Sequence, residues 1–455
     1  MKKLSIFLVH VLVFVLLFSG CSNGGSKNSD AGNSNESSKS EEQVKKGEGK
    51  SSEGKVTLQF MGWEASPLET ESVKKGLETF MSSNPNIKVE YTPVPNAQYA
   101  SKLLTMMAGG AAPDVFFCGT DTYRAFQSKG ELLDLTAYFD SEYKIDDFIP
   151  SAVEIMRING RIYGVSSCTV SPVLYYNKEI FDKAGLPYPP SNPDKAWSWE
   201  EFVNVAKKLT IKDGDKTTQF GVYGLENFYM TTAAILSNGG KVFNNDISKC
   251  ALNTSETKQV LQAILDLRKK EGVSPEAMFL EQIGMKGSQM LQTGKIGMLI
   301  DGSWALQELA QMKFPVGVGV LPKFKDAVTH GQAHVHAAWA KTPNPKEAWA
   351  LISFLSSEKY QTDLIRAGLW MPNRRSLYTE EGITKWYNKD AHPEGFKELV
   401  PYFEKAQVYP QALNYKNKVN DIINDELEAF WYDNQPIDQV LARIEQKVNE
   451  ELASK

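Results

Sequence analysis

Polar and apolar positions divide the chain into three regimes. Behind Lys2 and Lys3, the run from Leu4 to Phe18 is apolar except for Ser5 and His10. From Ser22 to Lys55 almost nothing is apolar beyond Ala31 and Val44, so that stretch cannot fold by burial. It reads as a tether, and roughly 30 such residues span about 30 Å as a random coil. Periodic structure starts at Val56. "VTLQFMGW" sends Val56, Leu58 and Phe60 to one side and ends on an aromatic; Leu68 to Ser82 has a helical period, and "IKVEYTPV" alternates again. Strand, helix, strand predicts an α/β opening. The pattern recurs: "YASKLLTMMAGG" predicts a helix closed by glycines, "DVFFCG" a short buried strand, and "DTYRAFQSKG" a helix capped at Gly130. Ser198 and Glu201 have the spacing of a capping box ahead of Phe202, Val205 and Leu209. After Pro436, the residues Ile437, Val440, Leu441, Ile444, Val448 and Leu452 form one stripe. No long internal repeat is visible.

At 455 residues and 42% hydrophobic, the chain is long enough for about two or three domains with full cores. Its formal charge of -5 leaves no basic field for phosphates, so no nucleic-acid partner is expected. Residues 1–20 read as a signal peptide, too short for a bilayer span of roughly 20 apolar residues. The run ends in Phe18-Ser19-Gly20-Cys21, which resembles a bacterial lipobox, where a cysteine behind small residues is acylated and becomes the N-terminus. Phe18 stands where a branched aliphatic residue is usual. The competing reading is a stop-transfer anchor with an incidental cysteine. A lipidated Cys21, carrying palmitate, would hold the protein on the outer face of the cytoplasmic membrane of a Gram-positive cell, durably if two or three chains are attached. Cys118, Cys168 and Cys250 remain, an odd number without CxxC spacing. Three buried thiols are expected, with at most one disulfide.

The most specific segment is "SPVLYYNKEIFDKAGLPYPPSNPDKAWSWEEF", Ser171 to Phe202. It predicts a strand, an Asn177 cap, a helix stopped at Gly185, an extended loop held by Pro189, Pro190 and Pro193, and a second capped helix. Leu174-Tyr175-Tyr176-Asn177 with Phe181 and Lys183 resembles the signature of the family 1 extracellular solute-binding proteins, the maltose-binding-protein-like receptors of ABC importers. Ser167, Cys168 and Val173 fit that signature only loosely. "MAGGAAPDVFFCGTD", "QTGKIGMLIDGSWAL", "GVGVLPKFK", "NPKEAWALISFLSSEKYQ" and "GLWMPNR" resemble further blocks of the family, in its order, from Val56 to the end. The resemblance implies an α/β, two-lobed periplasmic-binding-protein-like fold with three interlobe crossings (type II). The crossings are expected near Gly164 to Pro172, Phe324 to His334, and Trp370 to Thr379. Lobe one is then 56–166 plus 332–372 and lobe two 167–331 plus 373–455. It also implies a monomer that needs no cofactor, closes around a carbohydrate and delivers it to ABC permease subunits.

In open α/β sheets ligands lie beyond the carboxyl ends of strands. Those ends here are Trp63-Glu64, Gly119-Thr120-Asp121, Glu226-Asn227-Phe228 and Asp301-Gly302-Ser303-Trp304. Sugars want flat aromatic platforms beside planar carboxylates and amides, and each end supplies one or both. By position the resemblance makes Asp121 a hydroxyl acceptor and Trp304 a stacking ring, with Glu226 and Phe228 a second acceptor and aromatic pair. Trp63, Trp339, Trp370, Arg374 and Tyr415 are further candidates, although a tryptophan in an α/β lobe is more often core. Trp370 either presents its ring to the cleft or pins the third crossing. Tyr175 and Tyr176 should be split by strand alternation, one toward the hinge core and one toward the cleft. The number of strand-end aromatics points to an oligosaccharide. One rival is a metal-binding receptor, because His334 and His336 share a strand face with His330 in reach, although no acidic ligand lies beside them. The other is an exported glycosidase, which would need a pair of carboxylates about 5 to 10 Å apart. No GxSxG motif is present, and the resemblance argues for binding without catalysis.

Overall fold

The structure, a computed structural model, describes residues 55–141, 143–410 and 417–454, without the side chains of 120, 121, 140, 141 and 417. The leader, Cys21, the tether up to residue 54, and Tyr415 lie outside the described residues.

The alternation that begins at Val56 becomes β1 (Val56–Glu64), which pairs in parallel with β2 (Ile87–Pro95) and with β3 (Val115–Cys118). Between β1 and β2 runs the helix Pro67–Ser83, which buries Val73, Leu77 and Phe80. It starts where it does because the Ser66 hydroxyl accepts the Glu69 N–H and Pro67 is preset for a first helical turn. A hairpin, β4 (Arg157–Ile158) and β5 (Arg161–Ile162), leads into β6 (Gly164–Val170), whose seven residues are all buried. Then follow β7 (Pro172–Asn177), β8 (Ile211–Asp213), β9 (Lys216–Tyr223), β10 (Ile296–Gly302), β11 (Val316–Gly319), β12 (His330–Ala338) and β13 (Gln407–Val408).

Among the described residues these strands form two main sheets. One has the order β13-β12-β3-β1-β2, with β6 also paired to β12; the other has the order β11-β7-β10-β9-β8. The chain passes from the first to the second between Val170 and Pro172, and returns between Gly319 and His330. Asn177 caps the helix Lys178–Ala184, Gly185 closes it at φ 63°, and Ser198 with Glu201 forms the expected capping box of Trp199–Leu209. The last helix, Ile437–Ala453, buries Val440, Leu441, Ile444 and Val448. Cys118, Cys168 and Cys250 are buried thiols outside any disulfide.

Two expectations need correction. The third passage does not fall at Trp370 to Thr379, because the chain is still in the first sheet at β13, which pairs with β12. Tyr409, Val419 and Ile423 belong to the second core, so the chain crosses only after Val408. Tyr175 and Tyr176 do point to opposite faces of β7, but neither reaches the cleft, since the Tyr175 hydroxyl donates to the Gly302 and Ser303 carbonyls and Tyr176 packs on Phe181 and Tyr188.

Candidate functional site

Strand ends from the two sheets face one another across a cleft of about 1500 Å³. Trp63 leaves β1 and Gly119 leaves β3 on one wall, joined by Ser66, Glu69, Tyr99, His334 and Trp370. Asn227, Tyr229, Asp301, Trp304 and Gln307 line the other.

Both walls use the same device. On the first, Trp63 stands edge-on to Tyr99, Phe117 and His334, with ring centroids 5.6, 4.2 and 4.7 Å away. Its side chain lies beside the Glu69 carboxylate, which accepts the Ala65 N–H at 3.3 Å. Burial pushes Glu69 up to about 8, and nearby Glu64 adds to the shift, so Glu69 carries a proton at neutral pH. On the second wall, the Trp304 side chain lies beside Asp301, whose carboxylate accepts the Gly302 N–H at 2.7 Å. Burial raises Asp301 to about 6, against the opposing pull of the Gly302 N–H and the Trp304 side chain. A Cβ at Gly302 would stand 2.4 Å from Trp304 ring carbons, so only glycine lets the ring lie over the strand end. Each indole is therefore held by its ring neighbours, with a carboxyl group beside it.

At the base of the second wall, Tyr229 contacts Trp304, His330 and Tyr409 at 5.3, 4.4 and 4.8 Å, and its hydroxyl donates to the Val170 carbonyl at 3.2 Å. Asn227 caps the helix Phe228–Ser237 by accepting the Tyr229 N–H at 2.9 Å. Trp370 answers to the first of its readings, and the second lapses because the third passage lies elsewhere. Its ring lines the cleft, while the next residue, Met371, exchanges two backbone hydrogen bonds of 3.0 Å with Thr169 of β6. Trp370 holds φ at 32°, a conformation that a non-glycine residue keeps only when its surroundings impose it.

Of the other candidates, Phe228 reaches the cleft wall from a position 2% exposed in the second core. Glu64 accepts the Thr70 hydroxyl at 2.5 Å and is not on the wall. Glu226 turns away from the cleft into a bidentate pair with Arg268 at 2.5 and 2.7 Å. Trp339 lies off the cleft, its indole N–H donating to Glu131 at 3.3 Å. Arg374 is buried elsewhere: it pairs with Asp147 at 3.1 Å, donates to the Ser356 carbonyl at 3.0 Å, and sits over the rings of Tyr143 and Phe148. Asp121 belongs to the helix Thr120–Ser128, but its side chain is outside the description.

Sequence reasoning missed Glu69, Tyr229 and Gln307. Glu69 was hidden by its own spacing, because Ser66-Pro67-Leu68-Glu69 reads as a helix start.

The histidines do not converge on a metal. The His330 Nε2 meets the Tyr229 carbonyl at 2.8 Å and the His336 Nε2 meets the Ser167 hydroxyl at 3.0 Å, while burial lowers His334 to about 4. Among the described residues no three His, Cys, Asp or Glu side chains are placed to hold a metal ion.

A family model described as bacterial extracellular solute-binding protein matches residues 66–362. Among solved structures, an ABC substrate-binding protein of Listeria monocytogenes in complex with cycloalternan is similar at a TM-score of 0.76 and 24% identity, covering 88% of this chain and 100% of that one. Maltose-bound MalE3 of T. maritima is similar at a TM-score of 0.72 and 25% identity, covering 87% of this chain and 99% of that one. The sn-glycerol-3-phosphate-binding periplasmic protein of Agrobacterium fabrum is 28% identical over 296 residues, 60% of this chain and 63% of that protein.

Proposed function

The chain belongs to the bacterial extracellular solute-binding protein family, and on that premise we propose that it captures a neutral oligosaccharide in the cleft and hands it to the membrane subunits of an ABC importer. Its fold is the two-lobed α/β fold of periplasmic binding proteins. In this reading, lobe one is 56–170 with 330–408, and lobe two is the rest. A ligand touching both lobes binds the closed state better and shifts the population toward it.

The observation that carries the reading is the paired device of Trp63 with Glu69 and Trp304 with Asp301. A sugar ring offers a C–H face to an indole and hydroxyls to a carboxyl group at its edge, and the cleft presents that combination from both sides. The protonated Glu69 can donate as well as accept. A phosphate ester, the ligand named for the Agrobacterium relative, asks for arginine or clustered lysine. Lys286 is the one lysine or arginine lining the cleft among the described residues, against Glu71, Asp301 and Glu308. Asp121 and Tyr415 belong to this proposed set through the family resemblance. The volume suits several rings. Binding without catalysis, a monomer, and anchoring through a lipidated Cys21 on a Gram-positive surface complete the proposal.

Calorimetry on the fragment from Val56 tests it, with neutral oligosaccharides and glycerol-3-phosphate as ligands and chromatography of the sugar afterwards. Saturable binding of a neutral oligosaccharide recovered unchanged is expected, lost when Asp121→Ala and Trp304→Ala are combined. Binding of the phosphate ester alone would sink the carbohydrate reading, and recovered hydrolysis products would restore the glycosidase.

A further inference from the structure

A second cavity of about 560 Å³ adjoins the cleft on the side of the second sheet. Asn227, Asp301 and Trp304 line both spaces, so the two meet at the ring and carboxylate of the second wall. Past that point the walls change. Glu226 stands there with both carboxylate oxygens accepting from Arg268 Nη1, and the Tyr432 hydroxyl donates to it at 3.2 Å. Tyr432 is 43% exposed, leaving an aromatic ring at the rim. Trp431, on the same wall, is 2% exposed and its indole N–H has no hydrogen-bond partner. A buried donor left unpaired is a cost that natural sites seldom keep without use.

We propose that the ligand site is forked: the cleft holds the main chain of a neutral oligosaccharide, and the second cavity holds one further sugar unit, a branch or a terminal ring turned at Trp304. That unit would bring hydroxyls to the Glu226 carboxylate and to the Trp431 N–H, and a C–H face to Tyr432. Glu226 neutralises Arg268 in the wall, so the cavity selects a neutral polyol rather than an anion. The substrate class becomes a branched or bent oligosaccharide instead of a short linear one. The inference rests on the carbohydrate reading of the cleft.

The test is an array of linear and branched neutral glycans, followed by calorimetry of the smallest and the largest or most branched binder. Ser274 lines only the second cavity, so Ser274→Trp fills it from a wall that the cleft does not share. We expect the smallest binder to keep its Kd within about twofold and the branched one to weaken at least about tenfold. Trp431→Phe keeps an aromatic side chain but removes the N–H with the pyrrole half of the indole, and should weaken only the branched binder, by about fivefold or more. Equal effects on both ligands, no effect on either, or a receptor that binds nothing beyond disaccharides would overturn the fork while leaving the cleft intact. A wild-type protein that binds no neutral glycan brings down the carbohydrate reading and the fork with it.

Discussion

The Ser66 hydroxyl donates to the Gln307 side-chain oxygen at 2.6 Å, joining two residues 241 positions apart across the cleft. Ser66 leads the helix after β1 and Gln307 lies in the helical turn Leu306–Leu309 after β10, so the bond runs from one sheet's layer to the other's. It lies outside the passages where the chain itself crosses, and opening the lobes must break it. Gln307 is 5% exposed, which places the bond away from competing water.

A hydrogen bond of this kind has a net worth of about 0.5–1.5 kcal/mol, which changes a closed-to-open ratio by about two- to twelvefold. Gln307→Ala should therefore weaken every ligand by a similar factor in that range, because the change acts on closure and not on one sugar unit. Calorimetry with ligands of different length, together with X-ray scattering for an enlarged radius of gyration, measures it. A loss confined to one ligand would make Gln307 a direct contact instead of a latch. Ser66→Ala is the poorer probe, since it also removes the cap from the helix Pro67–Ser83.

How far the sequence announced this site depended on the kind of signal each residue carries. Trp63 and Trp304 sit where an alternating apolar run ends, and the end of a strand is a local property that one segment can declare. Glu69 and Ser66 are equally local, but an S-x-x-E spacing has a sufficient explanation as a helix start, so their second role stayed hidden. Arg374 misled for the opposite reason. Its place is fixed by Asp147 and Ser356, far away in sequence, and nothing in "MPNR" encodes them. The third passage was misplaced because residues 373–408 are short elements whose apolar residues say that they are buried without saying against which sheet.

Buried ionisable groups pull stability in opposite directions with pH. Glu69 is raised from its ordinary 4.5 to about 8, so its contribution is complete below 4.5 and is lost as pH rises through 8. His330, His334 and His392 are lowered from 6.5 to about 4 and His336 to about 3, so theirs is complete above 6.5 and is lost as pH falls toward 4. Between 6.5 and 8 the folded chain keeps a proton on Glu69 that the unfolded chain has released, while the unfolded histidines lose the last of theirs, so the two effects oppose each other. The Glu69 part alone is a fall of up to about 1.4 kcal/mol per pH unit. Urea unfolding of the wild type and of Glu69→Gln at pH 6.5, 7.25 and 8 isolates it, since the histidine part is common to both, and the wild type should lose stability relative to Glu69→Gln as pH rises. A difference between the two proteins that stays constant over the three values would show that Glu69 is already ionised.

The position of Arg374 separates fold from function. Its guanidinium centre lies 4.6 Å from the Tyr143 ring and 4.2 Å from the Phe148 ring, and its Nε and Nη1 atoms serve Ser356 and Asp147. Arg374→Ala would leave the Ser356 carbonyl without this donor, strip two aromatic faces of their cation and release Asp147, which also accepts the Ser376 N–H at 3.1 Å. Asp147 keeps some access to water, so the loss should be smaller than for a fully buried ion pair, about 2–4 kcal/mol. The effect on ligand Kd, measured by calorimetry well below the new Tm, should stay within about twofold, because no atom of Arg374 lines the cleft. Arg374→Lys should recover little of the lost stability, since an ammonium can neither lie flat between two rings nor serve both acceptors in one plane. Full recovery with lysine would mean that charge alone holds this corner, and a large change in Kd would return Arg374 to the ligand site.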